Sequence, residues 1–188
     1  MEKLQKYLTD RFLLTEDEWS LIHENMTIKT LNKGEFFIEQ DKVCRKSGLI
    51  LQGVMRYFSY DEKGNDPTCY FASEHQYIVD PFAFKKQAPS DMNLQAVTNC
   101  TIAVIGFDRD KELQTSFPKW NEIVNQLLLD VSIHFADQKQ LLAMNASKRY
   151  DYFVENFPTI ASRSPLQYVA SYLGIKQPSL SRIRKNNL

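Results

Sequence analysis

Between Ile28 and Phe107 the apolar residues stop recurring every third or fourth position and fall into short runs broken by turn residues, while both flanks keep a helical period. That switch constrains the fold most, because a segment buries its apolar side chains either at a period of two or at a period near 3.6, not both. The runs "IKTL", "EFFIE", "SGLILQG", "VMRYFSY", "PTCYFA", "NLQAVT" and "TIAVIGF" are the candidate strands. "DEKGND", between Tyr60 and Pro67, is a hairpin turn with its glycine in place. Short strands at this spacing predict a β-sandwich or jelly-roll barrel.

The flanks predict helices. Leu4, Tyr7, Leu8, Phe12, Leu21 and Ile22 recur at helical spacing, and "TEDE" at 15–18 reads as an N-cap with acids in the first turn. From about Phe117, Val124, Leu127, Leu128, Val131, Phe135, Gln138, Leu141 and Leu142 follow seven-residue spacings. Such a stripe either packs on the barrel or pairs with its copy in a dimer. Its length, and its place between two compact parts, favour a dimerisation helix. "SKRYDYFVENF" is a further short helix ending near Pro158, and "PTIASRSP" reads as a linker in which Ser164 and Pro165 start the next helix.

The last stretch, "QYVASYLGIKQPSLSRIRK", has the spacing of a helix-turn-helix. Val169, Ala170 and Leu173 share one helical face, Gly174 permits a turn with positive φ, and Leu180 and Ile183 form the inward stripe of a second helix. The outward face carries Gln177, Ser179, Ser181, Arg182, Arg184 and Lys185, with Lys176 just before it. These amides, hydroxyls and cations can donate to phosphates or base edges. From Asn156 onward there are five basic residues and no Asp or Glu, so the other 155 residues hold 18 basic and 23 acidic side chains, a net −5. A neutral total thus hides a basic end on an acidic body, which points to a polyanion partner at one end. A solvated helical hairpin is the bland alternative; the small-residue spacing and glycine turn favour DNA.

Other classes find little support. The 43% hydrophobic content is ample for a packed core. No apolar run approaches the roughly 18 residues of a membrane span, and "MEKLQKYLTDRF" is too polar for a signal peptide, so a cytoplasmic protein without a membrane partner is expected. Cys44, Cys69 and Cys100 form no Cys-x-x-Cys pair and are expected as small buried apolar residues. A cupin-like barrel enzyme would need clustered His and carboxylate metal ligands, whereas His23, His75 and His134 are isolated. No nucleophile elbow, P-loop or dinucleotide fingerprint occurs, so neither an enzyme nor a cofactor nor a metal site is expected.

The order of parts resembles the Crp/Fnr family of bacterial transcription regulators. "LNKGEFFIEQDKVCRKSGLILQGVMRYFSYDEKGND", the Leu-rich helix from Asn121, "ASKRYDYFVENFP" and "QYVASYLGIKQPSLSRIRK" carry the likeness, which spans nearly the whole chain; its compact form is similar to the Bacteroidetes-type branch. The resemblance implies an α+β chain: N-terminal helices with a jelly-roll-like β-roll of the cyclic-nucleotide-binding type over 1–116, a long dimerisation helix over 117–145, and a helix-turn-helix over 146–188. It also implies a homodimer on an inverted-repeat operator, with RNA polymerase as a partner.

Nucleotide-binding members of the family carry a Gly-Glu pair and, about ten residues on, an Arg and a small residue that hold the cyclic phosphate and ribose. Here Val79 stands at the Gly, Asp80 at the Glu, Ser90 at the Arg and Asp91 at the small residue. Without the Arg, and with an added carboxylate, this degenerate cassette is not expected to bind cyclic nucleotides. Lys85 and Lys86 nearby read as a solvated turn or as a site for another anion. The family's iron–sulfur sensors gather cysteines near the N-terminus, where none precedes Cys44. In the recognition helix, Gln177, Pro178 and Arg182 stand where family members often present Arg, Glu and Arg. Arg182 keeps the fork suited to guanine, and Pro178 contacts neither base nor phosphate. An alternative function is therefore a dimeric ligand-sensing or protein-interaction module whose helix-turn-helix no longer binds DNA.

Overall fold

The computed structural model describes residues 2–186, apart from the side chains at 3, 134–140, 142 and 186. Helices α1 (Glu2–Phe12) and α2 (Glu16–Glu24) come first. Thr15 caps α2 as the sequence predicts: its side chain accepts from the Glu18 N–H while the Glu18 carboxylate accepts from the Thr15 N–H. Strands β1 (Thr27–Leu31), β2 (Phe36–Ile38), β3 (Lys46–Gln52), β4 (Met55–Phe58), β5 (Thr68–Ala72), β6 (Tyr77–Ile78), β7 (Asn93–Ala96) and β8 (Cys100–Gly106) follow, with α3 (Pro81–Lys86) after β6. They form two antiparallel sheets, ordered β1-β8-β3-β6 and β2-β7-β4-β5. Asp61 builds the β4–β5 hairpin by accepting from the Lys63 and Asn65 N–H groups, and Gly64 sits there at φ +78°.

The remaining chain is helical: α4 (Phe107–Ser116), α5 (Pro118–Leu142), α6 (Ala146–Asn156), α7 (Pro158–Arg163), α8 (Leu166–Tyr172) and α9 (Gln177–Asn186). All the strand runs read from the sequence are present, and the two-residue β6 is additional. Three helices depart from expectation. α3 and α4 arise where the sequence predicts none, and α7 occupies "PTIASRSP", which reads as a linker. Proline at the start of α7 favours a helix there, because its fixed φ suits the first turn. Ser164 does not cap α8, since its hydroxyl is buried without a hydrogen-bond partner among the described residues.

Two apolar cores hold these parts together. The first fills the sandwich and continues over the outer face of sheet one, where Leu8 of α1 and Trp120, Ile123 and Leu127 of α5 meet Leu49 and Ile105. The second lies on the outer face of sheet two. There Phe71 and, beside the strands, Val54 and Val97 join Leu141, Phe153, Ile160, Val169, Ala170, Tyr172, Leu173 and Leu180 from the terminal helices. Strand β4 shows the result. Met55 and Tyr57 face the sandwich core and Arg56 and Phe58 face outward, yet all four are buried. Helices cover both sheets, so alternation along β4 separates the sandwich core from a second buried face rather than core from water.

Candidate nucleic-acid interface

Helix α8 ends at a corner whose backbone bonds define its shape. The Ile175 N–H donates to the Ala170 carbonyl and the Gly174 N–H to the Ser171 carbonyl, with Gly174 at φ +63°. This is a Schellman turn, and glycine is there because a Cβ resists that conformation. The Arg149 guanidinium of α6 donates to the Leu173 carbonyl, satisfying another group at the helix end. Helix α9 then starts from Lys176, whose carbonyl accepts from the Ser179 and Leu180 N–H groups. Pro178 lies in the first turn, where its missing N–H leaves no bond unmade. Leu180 is fully buried and Ile183 half-buried, while Lys176, Gln177, Pro178, Arg182, Arg184 and Lys185 are exposed; Ser179 and Ser181 are half-buried. The structure thus brings the expected DNA-facing residues onto one helix with its apolar stripe turned inward.

Side chains that carry no local sequence signal fix this helix pair to the β-roll. Arg56 is 2% exposed. Its guanidinium donates to Gln95 Oε1, to the Asp66 carbonyl and carboxylate, and at 3.4 Å to Thr68 Oγ1. The same group lies 3.7 Å from the ring centroid of Tyr168 on α8 and 4.1 Å from that of Phe58. Beside it, the Thr68 N–H donates to Ser171 Oγ at 2.8 Å. Phe71, Phe153 and Tyr172 form a cluster of mutually tilted rings. On the other side, Arg163 of α7 pairs with Glu74 at 2.8 Å, and the Gly53 N–H donates to the same carboxylate oxygen. Burial alone would raise the Glu74 pKa, but the Gly53 N–H and Arg163 outweigh it and hold the carboxylate below its ordinary value. The nearest thing to a sequence signal for this dock is an arginine in the apolar run "VMRYFSY", on a position facing away from the sandwich core.

Two of the four cassette residues bond each other. Asp80 accepts from the Ala83 N–H as N-cap of α3, and its other oxygen accepts from Ser90 Oγ at 2.7 Å. Both side chains are buried, Val79 is buried, and Asp91 is exposed. Tyr57 locks the same corner, accepting from the Val79 N–H at 3.1 Å. The Ser90 hydroxyl, at the position where the resemblance expects an arginine, completes an internal bond.

The expected dimer stripe divides. Leu127 and Leu141 are buried in this chain's own two cores and so cannot face a partner in this arrangement. Val124, Leu128 and Val131 are half-buried, whereas Leu129 and Ile133, which the stripe does not include, are 58% and 52% exposed. Phe135 and Leu142 lie outside the described side chains, as does His134. His23 stacks on Trp19 and His75 on Tyr7. Among the described residues no three His, Cys, Asp or Glu side chains gather as metal ligands. Cys44, Cys69 and Cys100 are free thiols whose pKa values burial pushes up. No described helix is long and apolar enough to cross a membrane.

The chain matches no protein-family model, and no curated protein is similar to it in sequence. Solved structures are similar in fold. FixK2 from Bradyrhizobium japonicum superposes with a TM-score of 0.75 at 13% identity, over 86% of this chain and 83% of that one. A protein described as a regulator of the Crp/Fnr family, from Eubacterium rectale, gives 0.70 at 14%, over 95% and 85%. The c-di-GMP-responsive regulator CLP of Xanthomonas campestris gives 0.68 at 11%, over 89% of each chain. The fold is that of Crp/Fnr regulators.

Proposed function

We propose that this chain is a DNA-binding transcriptional regulator of the Crp/Fnr type that acts as a homodimer in the cytoplasm and has no catalytic activity. One observation carries the reading: α9 turns Leu180 into the core and leaves Gln177, Arg182, Arg184 and Lys185 exposed on a segment free of acids. That is the surface a major groove receives. Arg182 is the base reader of choice, and Lys176, Arg184 and Lys185 are phosphate clamps. The division into a β-roll over 1–116, a dimer helix over 117–145 and a DNA-binding unit over 146–188 belongs to this proposal, as does contact with RNA polymerase.

Dimerisation through α5 is supported by its exposed apolar residues. The seam centres on Leu129 and Ile133, with Ser132 allowing close approach. The effector is not a cyclic nucleotide held by the cassette, because Asp80 and Ser90 are spent on each other and no arginine meets the phosphate. A second reading, a sensing module whose helix pair contacts protein instead, is favoured by exposed Pro178 in the first turn of α9. Selection of bound duplexes from a random DNA pool separates the two. The first reading expects an enriched inverted repeat with half-sites about one helical turn apart. No enrichment by folded dimer supports the second.

A further inference from the structure

A cavity of about 470 Å³ opens outside the sandwich, between α3, α4 and the first half of α5. It falls within the size range of small-molecule sites, about 300–1,000 Å³. Neither Asp80 nor Ser90 lines it, and Val79 is the one cassette residue that it shares. Its floor is apolar, formed by buried Tyr77, Val79 and Phe84, with Leu128 at the side. Its rim carries the exposed ammonium groups of Lys85 and Lys111, neither of which forms an ion pair among the described residues. Lys111 is drawn over the Phe107 ring at 4.8 Å, which keeps its charge beside the apolar floor.

The only carboxylate lining this cavity among the described residues is Asp110. It is 2% exposed and both oxygens are engaged, one by Trp120 Nε1 at 2.9 Å and the other by Gln114 Nε2 at 2.6 Å. Burial raises its pKa against the lowering effect of the Trp120 and Gln114 bonds, and those bonds turn its oxygens to the protein rather than to the cavity. An apolar floor, two exposed ammonium groups and a restrained acid fit one chemistry.

We infer that this cavity is a binding site for a small amphipathic anion, an apolar acyl or aromatic body bearing one carboxylate or phosphate. The apolar body lies on Tyr77 and Phe84, and the anionic head meets Lys85 and Lys111. The site is built from this chain's own residues and does not depend on the DNA reading.

Trp120 provides the readout. Its indole is bonded to the cavity wall through Asp110, and Trp19 is the other tryptophan of the chain. In a Trp19→Phe background, sodium octanoate should change Trp120 emission saturably, with one site per chain, and calorimetry on the unmodified chain should return the same constant. 1-Octanol, of equal length but uncharged, should bind about tenfold more weakly, as should octanoate to a Lys85→Gln/Lys111→Gln variant. No saturable signal with octanoate in either measurement overturns the proposal, as does equal binding of octanol or an unaffected double variant. No DNA enters the assay, so its failure leaves the regulator reading untouched.

Discussion

Arg56 shows how one side chain joins the two halves of this molecule. Its cation is withdrawn from water, and it is tolerated because Asp66, Gln95 and Thr68 supply acceptors while Phe58 and Tyr168 cover its faces. Arg56→Ala should cost about 2–3 kcal/mol in urea unfolding, since it strips charge-assisted bonds and leaves a gap under α8. A loss within error of zero would mean that the dock does not depend on it. Glu74 carries a pH signature. A carboxylate with a folded pKa below its unfolded one stabilises the fold fully above the unfolded value, here 4.5, and loses that contribution as pH falls through the folded pKa. Partly exposed, the Glu74–Arg163 pair should contribute at most about 1 kcal/mol. The stability gap between wild type and Glu74→Gln should therefore be full at neutral pH and close under acid; a gap independent of pH would contradict the assignment. At this scale little of the dock is legible in the sequence. Arg56, Glu74 and Ser171 lie far apart in sequence from their partners, and no local spacing announces a contact set by tertiary packing.

Elements are more legible, and the departures have physical causes. Period recovers the strands, the N-terminal helices and the glycine corner, because burial on one face imposes it. Strand β6 is only two residues long, too short to express a period, and α4 carries no apolar residues beyond Phe107 and Leu113. Helix α5 is the more instructive departure. Seven-residue spacing marks an apolar seam but not what covers it, and here the inward half of the seam packs on the chain's own cores. Leu129→Glu with Ile133→Glu should thus give a folded monomer by light scattering, because charge placed in a seam resists desolvation. Leu127→Glu should instead unfold the chain, since it puts a carboxylate into the first core. A double variant that remains dimeric would place the dimer contact elsewhere.

On the scale of the whole molecule, charge and packing pull the chain's end in different directions. The inward faces of α6–α9 are bound to sheet two through a shared apolar core, which holds α9 in one orientation relative to the β-roll. The outward face of α9 leaves Arg182, Arg184 and Lys185 exposed to a polyanion, while residues 1–155 carry net negative charge and would be repelled by one. That segregation is legible in residue counts alone, because charge adds up without regard to contacts; the dock that orients it depends on contacts and is not. The central claim is that α9 is a DNA-reading helix. Its most direct test is titration of the selected repeat and of random duplex at several salt concentrations, with wild type, Arg182→Ala and Lys185→Ala. The account predicts salt-dependent binding by wild type, with log–log slopes that fall by about one unit per phosphate contact removed. Lys185→Ala should weaken both duplexes alike, whereas Arg182→Ala should lose about 1–3 kcal/mol on the repeat and little on random DNA. Binding to neither duplex by folded wild-type dimer, or the same loss on both from Arg182→Ala, would contradict it.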